Sequence, residues 1–200
     1  MRVKFLLVAG ALCAAAAVGA VGARAADISG VELRPGVPGL QYTAGPGETN
    51  DLRVSGVNPR VIDVRDDGAV LTTAGTWPCR LLSAHKARCK SPVSSWARLT
   101  VYLKDGADRV RMRPSLSVAD AEIYSDDGGD RYLLRGSNTW LESAYTGDRV
   151  RFLPPGGGGV VVYGSPRLWL VDGATEYVDC RIAGTPRIFS DPLDQISPFC

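Results

Sequence analysis

Apolar residues recur every eighteen positions between Arg98 and Cys180, and this recurrence predicts the fold. Within each period, runs of about three residues place an apolar side chain at alternate positions, and roughly six small or polar residues separate one run from the next. Alternation over so short a run is typical of a brief β-strand. The apolar columns are Leu116, Leu134, Phe152 and Leu170; Tyr132, Val150 and Leu168; and Ile123, Leu141, Gly159 and Tyr177.

A chain that forms a short strand and a tight turn twice in every eighteen residues winds into a flattened parallel coil. One coil cannot bury its own apolar face, whereas stacked coils bury a continuous core. The pattern therefore predicts an all-β protein, a right-handed parallel β-helix or β-roll of about eighteen residues per coil. The chain has 23 Gly and 13 Pro and no window of sustained helical periodicity, which agrees with this prediction.

The regions that flank the repeats, residues 98–180, have other patterns. Residues 1–25 read as a signal peptide, with a basic start, an apolar run and the small-x-small sequence Ala23-Arg24-Ala25, although a membrane anchor is the alternative. Residues 26–97 predict a strand-rich N-terminal cap that includes a hairpin or loop at 81–90. Residues 181–200 predict a capping tail over the last coil, because their three prolines cannot donate to a strand ladder. The cap strands are predicted at 39–44, 51–54, 61–64 and 69–72.

Cysteine usage indicates an oxidising compartment. Removal of the signal peptide takes Cys13 with it and leaves Cys79, Cys89, Cys180 and Cys200. Four cysteines allow three connectivities, and proximity in sequence favours Cys79–Cys89 and Cys180–Cys200. A zinc site is disfavoured because the spacings do not match a metal-ligand pattern. We expect the second disulfide to fasten the tail.

Charge does not indicate a nucleic-acid partner. The chain has 23 Lys and Arg against 21 Asp and Glu, and the signal peptide contains three of the basic residues and no acid. The mature chain therefore has 20 basic and 21 acidic residues, a formal charge of −1 with His neutral. A nearly neutral protein has no overall field for nucleic acid or anionic membrane. We predict a secreted, extracellular protein with no membrane span after cleavage.

Three turn segments resemble the repeats-in-toxin nonapeptide in degenerate form. They are 105–110 (DGADRV), 127–132 (DGGDRY) and 146–150 (TGDRV), and the region before them, with its Cys79 and Cys89 pair and the strand-like Leu99–Leu103, is similar to the lead-in of such repeats. The resemblance covers about residues 40 to 180 and implies the haemolysin-type calcium-binding β-roll family of secreted bacterial proteins.

Calcium is the cofactor that this resemblance implies. Asp130 and Asp148 lie one coil apart, so their carboxylates would stack about 4.8 Å apart and offer oxygens to a cation between them. The predicted metal ligands are Asp108, Asp127, Asp130 and Asp148. The alternative is that these aspartates form turns and pair with the arginines that follow three of them, without any metal.

Three function classes remain open. The first is a secreted, non-catalytic β-roll with weak or vestigial calcium binding, and the second is a metal-free extracellular or envelope-associated binding module with an outward face rich in Arg. The third is a small carbohydrate-active enzyme. The lone His85 lies in a basic loop, and Trp140 and Trp169 share no column, so neither a Ser-His-Asp site nor a paired sugar platform is implied. We predict that the protein is not an enzyme.

Overall fold

The structure is a computed structural model that describes residues 25–34, 36–73, 78–113, 118–126, 128–135, 138–154, 157–181 and 184–200. The signal peptide up to residue 24, the core-column residue Leu116 and the predicted ligand Asp127 lie outside the described residues. Within these ranges the chain is all strand and turn, with no helix. A helix of the length and apolarity that would span a membrane is likewise not found there.

Eighteen strands follow one another within the described ranges. They are β1 (Ala26–Arg34), β2 (Val37–Thr43), β3 (Asp51–Asn58), β4 (Val61–Asp66), β5 (Leu71–Thr73), β6 (Cys79–Ser83), β7 (Lys86–Lys90), β8 (Trp96–Tyr102), β9 (Arg109–Met112), β10 (Val118–Tyr124), β11 (Arg131–Arg135), β12 (Thr139–Ala144), β13 (Arg149–Leu153), β14 (Gly158–Val162), β15 (Arg167–Trp169), β16 (Glu176–Cys180), β17 (Arg187–Phe189) and β18 (Gln195–Ile196).

The strands form two sheets that wind into a β-solenoid. Sheet A has the order β18-β16-β14-β12-β10-β8-β2-β1-β5, and sheet B the order β17-β15-β13-β11-β9-β3-β4-β7-β6. From β8 onward, alternate strands enter alternate sheets, and each pairs in parallel with the strand one coil away. The predicted parallel coil is therefore confirmed.

Coil length is eighteen residues in the central repeats and varies elsewhere. Tyr132 pairs with Val150 and Val150 with Leu168, as predicted. The first coil is four residues longer, since Val110 pairs with Tyr132, and the extra residues lie between β9 and β10.

One apolar column differs from the prediction. Leu141 pairs with Val160, and Gly159 pairs instead with Trp140 and Tyr177. The corner between β13 and β14 is one residue longer than the corner between β11 and β12, which shifts the register in sheet A. The shift places an apolar side chain in the core and the glycine on the outer face.

The two ends of the solenoid are built differently. At the N-terminal end, β2 and β3 already belong to the parallel ladder, and β1, β4, β6 and β7 add antiparallel pairs beyond them. At the C-terminal end the tail does not lie across the last coil. It adds one more strand to each sheet, with β17 beside β15 and β18 beside β16.

The core lies between the sheets and follows the predicted columns. Tyr132, Val150 and Leu168 are at most 2% exposed, and so are Leu134, Phe152 and Leu170. Neighbouring positions on each strand point outward, because successive side chains of a strand alternate between faces. Both favoured disulfides are present, Cys79–Cys89 within the β6–β7 hairpin and Cys180–Cys200 between β16 and the end of the tail.

Candidate functional site

The predicted calcium ligands lie in the corner that leads from sheet A to sheet B. Asp108, Asp130 and Asp148 each end this corner, directly before strands β9, β11 and β13, and all three are buried. Since those strands pair in register, the three aspartates form one column. The structure thus brings three of the four predicted ligands together, and Asp127 is outside the described residues.

Each of these carboxylates hydrogen-bonds the backbone of the coil before it. Oδ1 of Asp148 accepts the N–H of Asp130 at 2.8 Å, and Oδ1 of Asp130 accepts the N–H of Asp108 at 2.8 Å. Oδ1 of Asp108 accepts the N–H of Asn50 at 2.7 Å and its side-chain amide at 2.9 Å. We call this column the aspartate ladder. It satisfies buried backbone donors that the tight corners leave without a strand partner.

The second carboxylate oxygens differ in their surroundings. Oδ2 of Asp130 accepts the hydroxyl of Tyr132 at 2.6 Å, and Oδ2 of Asp148 accepts the N–H of Tyr145 at 2.8 Å. Oδ2 of Asp108 is buried without a hydrogen-bond partner among the described residues, and burial raises the pKa of Asp108 to about 7. Burial therefore favours the protonated form of this carboxyl.

Calcium at the aspartate ladder stays a prediction. Calcium takes six to eight oxygens, and an ion here would share oxygens that already accept hydrogen bonds between coils. Across the part of the chain that the structure describes, no three Asp, Glu, His or Cys side chains are grouped closely enough to hold a metal ion. The bonds observed favour the turn-forming part of the alternative stated above. The arginine ion pairs that it also included are not seen for Asp108 or Asp130 among the described residues.

Replacing Asp130 with Ala tests whether the aspartate ladder stabilises the fold in the absence of a metal ion. The substitution leaves the buried N–H of Asp108 without its acceptor, which we expect to lower the free energy of unfolding by about 1–3 kcal/mol. Urea unfolding in a chelator measures this effect. Asp126→Ala, an exposed carboxylate in the same corner, is the matched control. Equal stability of the two variants would contradict the role of the ladder.

A second group of carboxylates lies in the opposite corner, near the C-terminus. Oδ1 of Asp194 accepts the N–H of Glu176 at 3.2 Å, and Oδ2 of Asp191 accepts the N–H of Gly173 at 2.9 Å, so the tail is bound to the coil before it. Glu176 is fully buried, and neither of its carboxylate oxygens accepts a hydrogen bond from the described residues. Burial and the nearby carboxylates of Asp194 and Asp172 raise the pKa of Glu176 to about 8. A proton on Glu176 removes the repulsion between its carboxyl group and those carboxylates.

The outer face of sheet B is rich in arginine. Five arginines occupy one column, paired strand to strand through β9, β11, β13, β15 and β17: Arg109, Arg131, Arg149, Arg167 and Arg187. Arg111 and Arg151 lie two residues along their strands, on the same face. We call these seven residues the arginine ladder.

Among the described residues, the only ladder arginines that form ion pairs are the two on β9, Arg109 and Arg111. The carboxylate of Asp51 lies 3.9 Å from Arg109 and 3.3 Å from Arg111. Among the described residues, no ion pair is made by the ladder members beyond them, which are Arg131, Arg149, Arg151, Arg167 and Arg187. These guanidinium groups are available for an anionic ligand.

A groove of about 320 Å³ runs between these arginines. Its lining includes Arg111, Leu133, Arg151 and Trp169, so it offers apolar contact as well as positive charge. The ring of Trp169 stacks on Phe189 at 5.6 Å between centroids. Positive charge and stacked aromatic rings therefore share one face.

The outer face of sheet A has a different composition. Tyr102 stacks on Tyr124 at 5.1 Å between ring centroids, and Trp140 stacks on Tyr177 at 6.4 Å. A groove on this face is lined by Glu122, Tyr124, Leu141, Glu142, Val161 and Arg181 together with Trp140. The two faces of the solenoid thus differ in charge and in the ligands that they can accept.

Sequence reasoning missed the two aromatic pairs that contain tryptophan. Trp140 and Tyr177 lie two coils apart, and Trp169 and Phe189 are separated by a coil of twenty residues, so neither pair shares an eighteen-residue column. His85, the single histidine, lies with Nδ1 2.8 Å from the carbonyl oxygen of Ala69. Its ring therefore ties the β6–β7 turn to the segment before β5.

Comparison with other proteins adds no identification. No family model, curated protein sequence or solved structure matches the chain. The fold defines the class, an all-β solenoid with two disulfides that form in an oxidising environment.

Proposed function

We propose that this protein is a secreted, non-catalytic β-solenoid that binds an acidic polysaccharide along the outer face of sheet B. The observation that supports the proposal is the arginine ladder, whose members beyond the first coil have no acidic partner among the described residues. This function corresponds to the metal-free extracellular binding module among the classes considered above.

The spacing of the arginines suits a polymer rather than a small anion. Arginines in one column repeat at the distance between neighbouring strands, about 4.8 Å. A linear polysaccharide with a carboxylate on successive sugars presents charges at intervals of similar order, so several contacts form with one chain. Linked contacts raise the overall affinity because each one after the first is intramolecular.

Guanidinium groups and aromatic rings suit such a ligand chemically. Arginine binds carboxylate through two parallel hydrogen bonds, which adds geometric specificity to charge attraction. The aromatic pair of half-buried Trp169 and exposed Phe189 offers a flat apolar surface to the sugar rings beside the charges. Both features lie on strands, which hold them in place.

Secretion is part of the proposal. The two disulfides favour an oxidising environment, and the N-terminal pattern of residues 1–25 is that of a signal peptide. Acidic polysaccharides are components of extracellular matrices and cell envelopes. A soluble or envelope-associated protein with an arginine face would meet them there.

Binding to polygalacturonate tests the proposal. We expect Arg149→Gln/Arg151→Gln to weaken binding by about tenfold, because it removes two charges of the ladder that make no ion pair among the described residues. Affinity should also fall steeply with added salt, since a bound polyanion releases counterions. Isothermal titration at several salt concentrations measures both effects.

The control variant removes two positive charges from the side of sheet A instead of sheet B. Arg98→Gln/Arg181→Gln lowers the net charge equally, yet both residues lie on the side of sheet A, so binding should change little. Equal losses in the two double variants would show attraction to overall charge and contradict a site on sheet B. Tighter binding of single-stranded DNA than of polygalacturonate would contradict the choice of a polysaccharide.

Calcium binding and a relationship to the repeats-in-toxin family remain separate hypotheses. One observation favours a cation near the aspartate ladder, the buried Oδ2 of Asp108 that has no hydrogen-bond partner among the described residues. The melting temperature of the mature protein in calcium and in a chelator decides between a bound cation and a proton at this carboxyl.

A further inference from the structure

The outer face of sheet A carries a second groove, separate from the arginine ladder. It has a volume of about 310 Å³ and lies on the opposite side of the solenoid from that ladder. Its lining combines two aromatic side chains, two carboxylates and one guanidinium: Tyr124, Trp140, Glu122, Glu142 and Arg181. We propose that this groove, called the sheet A groove below, binds a neutral oligosaccharide.

Aromatic and acidic side chains alternate across the groove because of strand register. Glu122 pairs with Trp140, and Tyr124 pairs with Glu142, so each carboxylate has a ring on the neighbouring strand. All four side chains lie on β10 and β12, and strands hold side chains in fixed relative positions better than loops do. The groove is therefore largely formed before a ligand arrives.

The position of Trp140 depends on a glycine one coil away. A Cβ atom at Gly159 would lie 2.4 Å from Cζ3 of the indole, so the ring occupies space that only glycine leaves open. The ring of Tyr177 stacks with the indole, and Trp140 is still 42% exposed. A large exposed ring supported from beneath and from the side is a suitable surface for the apolar face of a sugar.

The polar groups around the ring can both donate and accept. Glu122 is held by Arg98 at 3.1 Å, and the hydroxyl of Tyr124 lies 3.3 Å from Glu122. Glu142 makes no ion pair among the described residues, and Arg181 is held by Asp179 at 3.0 Å. Carboxylates accept hydrogen bonds from sugar hydroxyls, and the guanidinium donates to them.

This mixture of charges favours a neutral sugar over an ion. A cationic ligand would meet Arg181, and an anionic ligand would meet Glu122 and Glu142. A sugar hydroxyl is both donor and acceptor, so it can use all of these groups without bringing a charge of its own. A mostly apolar lining with a few placed polar groups is also the usual composition of a small-molecule site.

Titration with neutral oligosaccharides tests the site. The probes are cellopentaose, mannopentaose and the pentamer of N-acetylglucosamine, each followed by isothermal titration and by protein fluorescence. We expect at least one probe to bind, and Trp140→Ala to weaken that binding by about tenfold or more. Phe199→Ala, which removes an exposed ring that lines neither groove, should leave the affinity unchanged.

Two further variants keep the test informative if Trp140→Ala is unstable. Gly159→Ala alters no polar group, yet it should displace the indole and weaken binding, because the new methyl group would contact the ring. Glu142→Gln removes an acceptor charge that has no ion pair in the described structure and should also weaken binding. Circular dichroism of each variant shows whether the fold is kept.

The outcomes also separate this proposal from the polysaccharide proposal above. Neutral probes offer no charge to the arginine ladder, so Arg149→Gln/Arg151→Gln should bind them like the unaltered protein. Absence of binding by all three probes at millimolar concentration would overturn the inference. Tighter binding of tetralysine at the same groove would overturn it as well, since the groove would then be a cation site.

Discussion

Raising the pH from 5 to 9 should lower the melting temperature of this protein, and Glu176→Gln should remove much of that loss. The pKa of Glu176 is about 8 in the folded protein against 4.5 for an ordinary glutamate, because burial and the neighbouring Asp194 disfavour its charged form. Between these values the unfolded chain releases a proton that the folded chain keeps. Rising pH therefore favours unfolding, with the stabilisation complete below 4.5 and lost as the pH passes 8.

Asp108 also makes the folded protein less stable as the pH rises, but over a lower pH range. Its pKa is raised from 3.8 to about 7, chiefly by burial, so its share of the stabilisation is lost as the pH rises toward 7. A double variant, Glu176→Gln/Asp108→Asn, should show a smaller fall in melting temperature between pH 5 and 9 than either single variant. Glutamine at 176 carries no charge, like the protonated glutamate, so the variant should fold normally at neutral pH.

The matched control for this pair is Glu142→Gln, whose carboxylate lines the sheet A groove on the outer face. Its pH profile should parallel that of the unaltered protein. Thermal unfolding followed by circular dichroism at each pH gives the comparison. A melting temperature that rises between pH 5 and 8 would contradict the assignment of a proton to Glu176.

Replacing Cys180 and Cys200 with Ser should lower the free energy of unfolding by about 3 kcal/mol. The disulfide closes a loop of twenty residues, and few other contacts hold the end of the tail. Strand β18 is two residues long, and Leu193 and Phe199 are 53% and 82% exposed. With little apolar burial at the end of the tail, the covalent link adds to the restraint that the short β17 and β18 pairings give.

Hydrogen exchange locates the effect within the molecule. The N–H of Ser197 bonds the carbonyl of Val178 at 2.8 Å and should exchange much faster in the double serine variant. Replacement of Cys79 and Cys89 is the comparison, because the antiparallel pairing of β6 with β7 holds that hairpin independently of its disulfide. An unchanged melting temperature and unchanged exchange at Ser197 would contradict the role of the Cys180–Cys200 link.

The winding of the chain could be predicted from sequence because its signal is periodic and local. The columns through Val150 and Phe152 mark buried positions in consecutive coils, and the structure pairs them as expected. Proximity in sequence likewise favoured the observed disulfides. Where the column of Ile123 continued to Gly159, the prediction was wrong by one residue, because the length of a corner is not encoded in the strands that it joins.

The candidate sites were harder to predict because they join residues across coils of unequal length. The aspartate column was expected, but its hydrogen bonds to the preceding coil depend on corner geometry that periodicity does not show. The buried Glu176 had no sequence signal, since its neighbour Asp194 lies in the tail after the repeats end. Net charge near zero also concealed how unevenly the charges are distributed between the two faces.

The hydrogen bonds of the aspartate ladder have a consequence for how such a chain can change in length. Each bond joins equivalent positions in successive coils, from Asp108 to Asp130 and from Asp130 to Asp148. Duplication of a segment such as 131–148 would reproduce this bond and the strand pairing together, whereas gain or loss of a single residue within a strand would break both. The natural unit of growth is therefore a whole coil, and tandem duplication offers this protein a route to a longer rod with more surface on each side.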